Sequence, residues 1–282
     1  MKIPPYWAKE TRVVRQRKVR VYGTSSESMA QARALMEQRV QLWQEYLASD
    51  YHSEQEQARF QESLALQSVS VSETGDAVKY SASILEPIES TLNADNIITR
   101  NRYGALVLNT TSLCFVDVDT FENKGFLGKF FSLKSPEQRL LHAVKQLTAK
   151  QKEMSARVYR TARGWRVILQ APGLTINSTL MSELFNYLQA DELYTRLCLQ
   201  QQCWRARISP KPFEQDLPPF PQLTDSENAR AQMADWVQAY NRSTSHYGVC
   251  RLVACYGPEM QDPILDMHDQ ATKALQHGVT LA

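Results

Sequence analysis

The sequence predicts an α+β fold in which an antiparallel sheet is backed by helices on one face. Between about residues 103 and 209, segments with strand character alternate with segments of helical periodicity in the order β-β-α-β-β-α-β, which is typical of such layered folds. Short turn-forming stretches between paired strands favour antiparallel neighbours. Apolar residues make up 43% of the 282 residues, which is enough for a hydrophobic core.

Local signals place the elements before this region and at its start. Residues 12–22 form a basic segment with the composition of a strand, and a helix is predicted over residues 26–49. Thr24 and Glu27, at the start of that helix, have the spacing of a capping box. We expect further elements in this order: a polar helix near 53–64, a strand over 78–86, and strands over 103–109 and 112–118 joined as a hairpin by Asn109, Thr110 and Thr111.

The rest of the chain is assigned in the same way. A helix over residues 135–152 is predicted to begin at Ser135, after a loop that contains Gly125 and Gly128. A second hairpin joins ARVYRT to WRVILQ through a turn that contains Gly164. The remaining expected elements are a helix over 179–200 interrupted near Asp191, a strand over 203–209, a Pro-rich loop, a helix over 226–241, a strand over 247–256 and a helix over 263–277.

The domain organisation follows from the polar stretch around residues 66–76. We expect a strand-helix extension over residues 1–75 and a core over residues 76–282 with C-terminal helices packed on it. A single domain over residues 1–282 is the alternative.

Composition excludes several classes of protein. A net charge of +2 argues against a protein that coats nucleic acid with uniformly basic surface. The chain lacks a long apolar run for a membrane span and an N-terminal signal sequence, so we expect no membrane partner. Five cysteines are an odd number for a disulfide framework, and we expect a cytoplasmic location with reduced, buried thiols rather than structural zinc.

Two aspartates stand at the end of an apolar strand, in the stretch LCFVDVDTFEN. Their α-carbons would lie about 6–7 Å apart, close enough for both carboxylates to converge on divalent ions. Mg²⁺ or Mn²⁺ would suit such a site. Side-chain alternation predicts a core face and an open face on this strand. The core face has Cys114, Val116 and Val118, and the open face has Phe115, Asp117 and Asp119.

Basic side chains are predicted to face these acids. In CWRARIS, Arg205, Arg207 and Ser209 share one strand face, opposite an apolar face with Trp204, Ala206 and Ile208. Arginines in this arrangement form a good phosphate clamp. The other basic residues expected to bind phosphate are Lys211 just beyond this strand and, from the second hairpin, Arg160, Arg163 and Arg166.

Two further charged stretches have open interpretations. The N-terminal segment with Arg12, Arg15, Arg17, Lys18 and Arg20 can follow a nucleic-acid backbone, or it can be a solvated strand face. Near the C-terminus, LDMHD contains Asp266, His268 and Asp269. On a helix, Asp266 and Asp269 can share a side with a metal, although acids in a first helical turn are common and favour a purely structural role.

Three segments, FVDVD, VYRTARGWRVIL and RARISPKP, resemble the core segments of the archaeo-eukaryotic primase superfamily, the primase-polymerases. The resemblance covers about residues 100–215 and implies an RRM-like catalytic palm. Asp117 and Asp119 match the family's first motif. Arg166 stands where the second motif has a histidine, and the strand of the third motif has arginine in place of an acid. Asp191 and Asp216 are the nearest acids.

The resemblance implies metal-dependent nucleotidyl transfer from a nucleoside triphosphate, or binding of a nucleotide or nucleic acid. Asp117 and Asp119 would be catalytic and, with Asp191, would hold Mg²⁺ or Mn²⁺. Two alternatives stay open. The chain can be a non-catalytic RRM-like nucleic-acid-binding module that uses Tyr103, Phe115 and Tyr159. It can also be a structural or adaptor protein of a bacterial assembly, in which the acids and arginines form salt bridges.

Overall fold

The structure is a computed structural model that describes residues 1–14, 17–48, 53–55, 85–121, 135–212 and 217–282. The strands are β1 (Tyr6–Val14), β2 (Arg17–Ser25), β3 (Ile88–Asn93), β4 (Asn96–Arg100), β5 (Leu106–Thr110), β6 (Cys114–Val118), β7 (Ser155–Thr161), β8 (Trp165–Gln170), β9 (Trp204–Arg207), β10 (Tyr247–Gly248), β11 (Cys250–Tyr256) and β12 (Thr280–Leu281). The helices are α1 (Met29–Ala48), α2 (Pro136–Lys150), α3 (Thr179–Leu188), α4 (Glu192–Gln201), α5 (Ala229–Thr244) and α6 (Pro263–Thr272). The fold is α+β, as predicted.

The chain divides into two compact units. The core unit comprises Glu89–Leu217 and Ala239–Ala282, together with Met1, and the N-terminal unit comprises Lys2–Ile88 and Pro218–Gln238. The boundary expected near residues 66–76 falls outside the described residues, as do most of the helix near 53–64, most of the strand over 78–86 and the loop with Gly125 and Gly128. No helix in the described ranges combines the length and the apolar character that crossing a bilayer requires.

The N-terminal unit is built on a hairpin, so the prediction of one strand over residues 12–22 is wrong. β1 and β2 pair antiparallel from Tyr6 opposite Ser25 to Val14 opposite Arg17. Valines and basic residues are interspersed from Arg12 to Val21, across the end of β1 and the start of β2, which concealed the boundary between the two strands. α1 packs on one face of this ribbon. Gly23 permits close contact, because a β-carbon there would lie 1.9 Å from the Ala32 carbonyl oxygen.

The start of α1 differs from the predicted capping box of Thr24 and Glu27. Thr24 still belongs to β2, so it cannot cap the helix. The Ser28 hydroxyl instead accepts a hydrogen bond from the Gln31 backbone N–H at 3.2 Å, as an N-cap residue does. The helix therefore begins at Met29, three residues later than predicted.

In the described residues of the core unit, two four-stranded sheets are present rather than one. The central sheet has the strand order β11-β7-β8-β6, and the second sheet has the order β3-β4-β5-β9. The predicted hairpin between β5 and β6 is wrong, because β5 pairs with β4 and β9 whereas β6 pairs with β8. β4 reaches β5 through a turn in which Gly104 adopts a φ of 92°, a conformation that glycine favours.

Other local predictions are confirmed. Ser135 caps α2 in a reciprocal capping box with Gln138. β7 and β8 form the second hairpin with the expected short turn. The predicted interruption separates α3 from α4, and Asp191 caps α4 by accepting a hydrogen bond from the Tyr194 backbone N–H at 2.6 Å.

Helices cover both faces of the central sheet, which corrects the expectation of one open face. On one face Trp165, the partner of Val118 across the strands, donates a hydrogen bond to Glu137 of α2. On the other face the Tyr159 hydroxyl donates to Asp269 of α6 at 2.8 Å. Phe115, predicted to be on the open face, is fully buried. In β6, Asp117 is partly exposed, and Asp119, just beyond the strand, is exposed.

Candidate functional site

Asp117 and Arg166 form an ion pair at the edge of the central sheet. β6 and β8 place them directly opposite each other, and the Arg166 Nε lies 3.1 Å from the Asp117 Oδ1. The Arg166 side chain is 3% exposed and that of Asp117 is 35% exposed. Burial disfavours the charged guanidinium, but Asp117 offsets this and raises the pKa of Arg166. The guanidinium of Arg166 therefore stays fully charged inside the core unit, beside the carboxylate of Asp117.

Arg166 also connects β6 to α6. Its Nη1 donates to the Arg207 carbonyl oxygen at 2.9 Å and lies 3.2 Å from the Nε2 of His268. Since an arginine can only donate, Nε2 must be the acceptor and the imidazole proton must be on Nδ1. Nδ1 then donates to Asp269 Oδ1 at 3.0 Å. Burial lowers the pKa of His268 to about 4, although Asp269 opposes the shift, so the ring is neutral at pH 7.

Asp269 completes this buried network. Its carboxylate accepts a hydrogen bond from the Tyr159 hydroxyl and forms an ion pair with Arg157, whose Nη2 lies 3.0 Å from Oδ2. Burial and the nearby Asp269 charge raise the pKa of Tyr159. Asp117 and Asp269 thus balance the two arginines. The sequence-based interpretation of Asp269 as a helix-start or metal residue missed this role.

A signal for the buried network exists in the sequence of α6. Ile264, Leu265, His268 and Thr272 have helical spacing, and all four are buried. That spacing puts the histidine on the apolar face of the helix. A histidine on such a face needs polar partners in the core. Asp266 lies on the exposed side of the same helix.

The charges of Asp117, Asp191 and Lys211 act on Asp119 at the solvent-accessible end of β6. Partial burial, Asp191 and Asp117 raise the pKa of Asp119, and Lys211 lowers it. Asp191 is fixed there because its backbone N–H donates to the Asp117 carbonyl oxygen at 3.0 Å. We call Asp117, Asp119, Asp191 and Lys211 the acidic cluster. Asp216, the other acid considered, lies outside the described residues.

The hairpin turn of β7 and β8 supports the acidic cluster. A β-carbon on Gly164 would lie 2.4 Å from the Val118 carbonyl oxygen and 2.9 Å from the Asp119 α-carbon. The turn therefore lies against the strand end that presents Asp119. Arg163, in the same turn, is exposed. Arg160 lies on the opposite face of the sheet from Asp117, with its guanidinium 4.6 Å from the centre of the Trp165 ring.

The strand β9 has two buried faces, so it does not present the predicted open face of arginines. Arg205 is 9% exposed and donates to Gln201 at 2.9 Å. Arg207 donates to the carbonyl oxygens of Ser209 and Ala282. The Ser209 hydroxyl accepts hydrogen bonds from the Leu106 N–H and the Tyr240 hydroxyl. These side chains therefore form hydrogen bonds that connect the second sheet to the surrounding parts of the core unit.

The raised pKa of Asp119 predicts a pH-dependent difference in stability. A carboxyl whose pKa is higher in the folded state stabilises the fold while protonated, and this contribution is lost as the pH rises through the folded pKa. We expect the Asp119→Asn variant to be at least as stable as wild type at pH 7. The difference should decrease as the pH falls below the ordinary value of 3.8. Urea unfolding at both pH values measures it, and a less stable variant at pH 7 would contradict the expected repulsion.

The comparisons do not identify the chain. No protein-family model, curated protein or solved structure matches it. In the part of the chain that the structure describes, no three Asp, Glu, His or Cys side chains are arranged to hold a metal ion. The resemblance to primase-polymerases therefore stays a prediction, and the acidic cluster with its buried arginine is the candidate site on which a function can be argued.

Proposed function

We propose that the acidic cluster binds the phosphate groups of a nucleotide together with a divalent cation, and that the chain performs nucleotidyl transfer in the manner of primase-polymerases. The single observation that carries the proposal is the meeting of Asp117, Asp119, Asp191 and Lys211 at one solvent-accessible strand end. Partial burial and the nearby carboxylates of Asp191 and Asp117 raise the pKa of Asp119, and a bound cation would offset the repulsion between the carboxylates.

The residues fit Mg²⁺ or Mn²⁺ with few protein ligands. Mg²⁺ is commonly held by one or two carboxylates, while water and substrate phosphates complete its coordination. Asp119 would be the main ligand, and Asp117 would add the oxygen that is not bonded to Arg166. When bound, the ion would neutralise charge on the phosphates.

The chain's own groups have distinct roles in this proposal. Arg166 orients Asp117 from inside the core. Lys211 and the exposed Arg163 would contact phosphate oxygens and stabilise the charge that develops when a hydroxyl attacks the α-phosphate and pyrophosphate leaves. Arg205, Arg207 and Ser209 support the site from behind through their hydrogen bonds within the protein.

Nucleotide binding tests the proposal directly. We expect wild type to bind a fluorescent ATP analogue in Mg²⁺ or Mn²⁺, and to bind it at least about tenfold more weakly in EDTA, which corresponds to about 1.4 kcal/mol. Asp119→Asn and Lys211→Ala should each weaken binding similarly. Asp266→Asn is the matched control, because Asp266 is exposed on α6 outside the cluster.

The two steps of the proposal are separable. Absent nucleotide binding by wild type, or equal binding by the Asp119 and Asp266 variants, would contradict the nucleotide site. Binding without incorporation of nucleotides in a primer-extension assay would contradict nucleotidyl transfer alone.

The structure also bears on the two alternatives. Of the three aromatic residues of the RRM-like alternative, Phe115 and Tyr159 are fully buried, so neither can stack on a base, whereas Tyr103 is exposed. The salt-bridge alternative has one observation in its favour, because Asp117 does pair with Arg166. It leaves the crowding of Asp119 and Asp191 without a role.

A further inference from the structure

The N-terminal hairpin concentrates positive charge. Residues 9–20 contain six Lys and Arg residues and one Glu. The net charge of residues 9–20 is therefore +5. Since the net charge of the whole chain is +2, the remaining residues together have a net charge of −3. The proposed function of the acidic cluster gives this charge no role. An asymmetry of this kind indicates a surface for an anionic partner.

One face of the hairpin is occupied by α1. Ala8, Val21 and Gly23 are buried on that side against the helix. Arg12 belongs to the same side, since alternation puts it with Ala8 and its Nη2 lies 3.5 Å from the Glu37 carboxylate on α1. Arg12 also lies 2.8 Å from Glu10. The charge of Arg12 is therefore compensated within the protein.

On the opposite face of the hairpin, Lys9, Thr11, Arg20 and Tyr22 form a patch that we call the ribbon face; it lies between the buried Trp7 and the exposed Val13 of the same strand face. Lys9 lies directly opposite Tyr22, and Thr11 lies opposite Arg20, so these side chains share one surface. Arg20 is exposed, and Lys9 and Tyr22 are partly exposed. In the described part of the chain, no carboxylate forms an ion pair with Lys9 or Arg20.

The positive charges of Lys9 and Arg20 on the ribbon face repel each other. Burial and the nearby Arg20 lower the pKa of Lys9. The Lys9 Nζ lies 5.9 Å from the centre of the Trp7 ring, which holds the amine in place along the strand. An anion above this surface would relieve the repulsion between two charges that form no ion pair with a carboxylate of the described residues.

We propose that the ribbon face binds the phosphate backbone of nucleic acid. β1 and β2 have nine residues each, so the ribbon extends about 30 Å and matches roughly one turn of duplex. A two-stranded ribbon also fits the major groove, and Tyr22 beside the cations can stack on an unpaired base. The described part of this face has no exposed Trp, Phe or Leu of the kind that inserts into lipid.

The experiment is fluorescence anisotropy with labelled single-stranded and duplex oligonucleotides in EDTA. We expect wild type to bind, and Arg20→Gln to bind about fivefold more weakly at low salt, with a salt slope smaller by about 0.7–0.9. Arg12→Gln is the matched control: it removes the same charge from the α1 face and should stay within about twofold of wild type. Thr11→Glu, which adds an anion opposite Arg20, should weaken binding more than Arg20→Gln does.

The controls separate this surface from other partners and from the acidic cluster. Failure of wild type to bind either oligonucleotide, or equal losses for Arg12→Gln and Arg20→Gln, would overturn the proposal. So would binding of phosphatidylserine vesicles or polyglutamate through Arg20 without oligonucleotide binding. Asp119→Asn should bind oligonucleotides as wild type does, because the inference does not rest on the proposed nucleotide site. Circular dichroism checks that each variant is folded.

Discussion

Replacing Asp117 with alanine is expected to lower the free energy of unfolding of the core unit by about 3 kcal/mol, near the lower end of the range for removing one partner of a buried ion pair. The change leaves the Arg166 guanidinium, 3% exposed, without its carboxylate. The cost is at the lower end because Asp117 itself is 35% exposed and partly solvated. Urea unfolding measures the difference.

A double-mutant cycle checks the cause. Arg166→Met in the Asp117→Ala background removes the uncompensated charge, so it should recover part of the lost stability. Recovery should be incomplete, because the Arg207 carbonyl and the His268 Nε2 lose their shared donor. The contrary result would be that Arg166→Met lowers the stability of the Asp117→Ala protein by as much as it lowers that of wild type. That result would show that the two side chains act independently.

This expected result affects how the proposed nucleotide site can be tested. An inactive Asp117→Ala protein would be inconclusive, since loss of folding and loss of a metal ligand have the same outcome. Among the described residues, no buried cation forms an ion pair with Asp119, and partial burial and neighbouring carboxylates raise its pKa. Asp119→Asn therefore tests the chemistry of the site without removing a partner of the buried Arg166.

Replacing Gly164 with alanine is expected to destabilise the core unit by about 2 kcal/mol, within the range for overpacked sites. The added β-carbon would lie 2.4 Å from the Val118 carbonyl oxygen, so either the turn or the end of β6 must move. Because β6 is an edge strand, we expect it to move and to displace Asp119. Nucleotide binding should then be lost together with stability.

Arg163→Ala is the control for the Gly164 variant. Arg163 lies in the same turn but is exposed, so its removal should leave the free energy of unfolding within about 0.5 kcal/mol of wild type. It should weaken nucleotide binding only through the lost charge. If Gly164→Ala matched wild type in both stability and binding, the close contact between the turn and Asp119 would have no role in the site.

The elements that could be predicted have local causes. The capping box of Ser135 and Gln138 lies within four residues, and the second hairpin depends on a short turn that ends at Gly164. Placing Asp117 and Asp119 at the end of a strand required only the apolar run before them. The acid Asp191 could be suggested as a third member of the site, but its position beside Asp119 required the tertiary structure.

Alternation in the sequence determined which side chains share a strand face, and it put Asp117 apart from Val116 and Val118. Only the tertiary structure showed what covers each face, because that depends on elements distant in the chain. Phe115 is buried against His268 of α6, and Arg205 is buried beside Gln201 of α4. The same reason explains β5 and β6: neighbours in sequence entered different sheets, because strand pairing is a non-local choice made by the whole core.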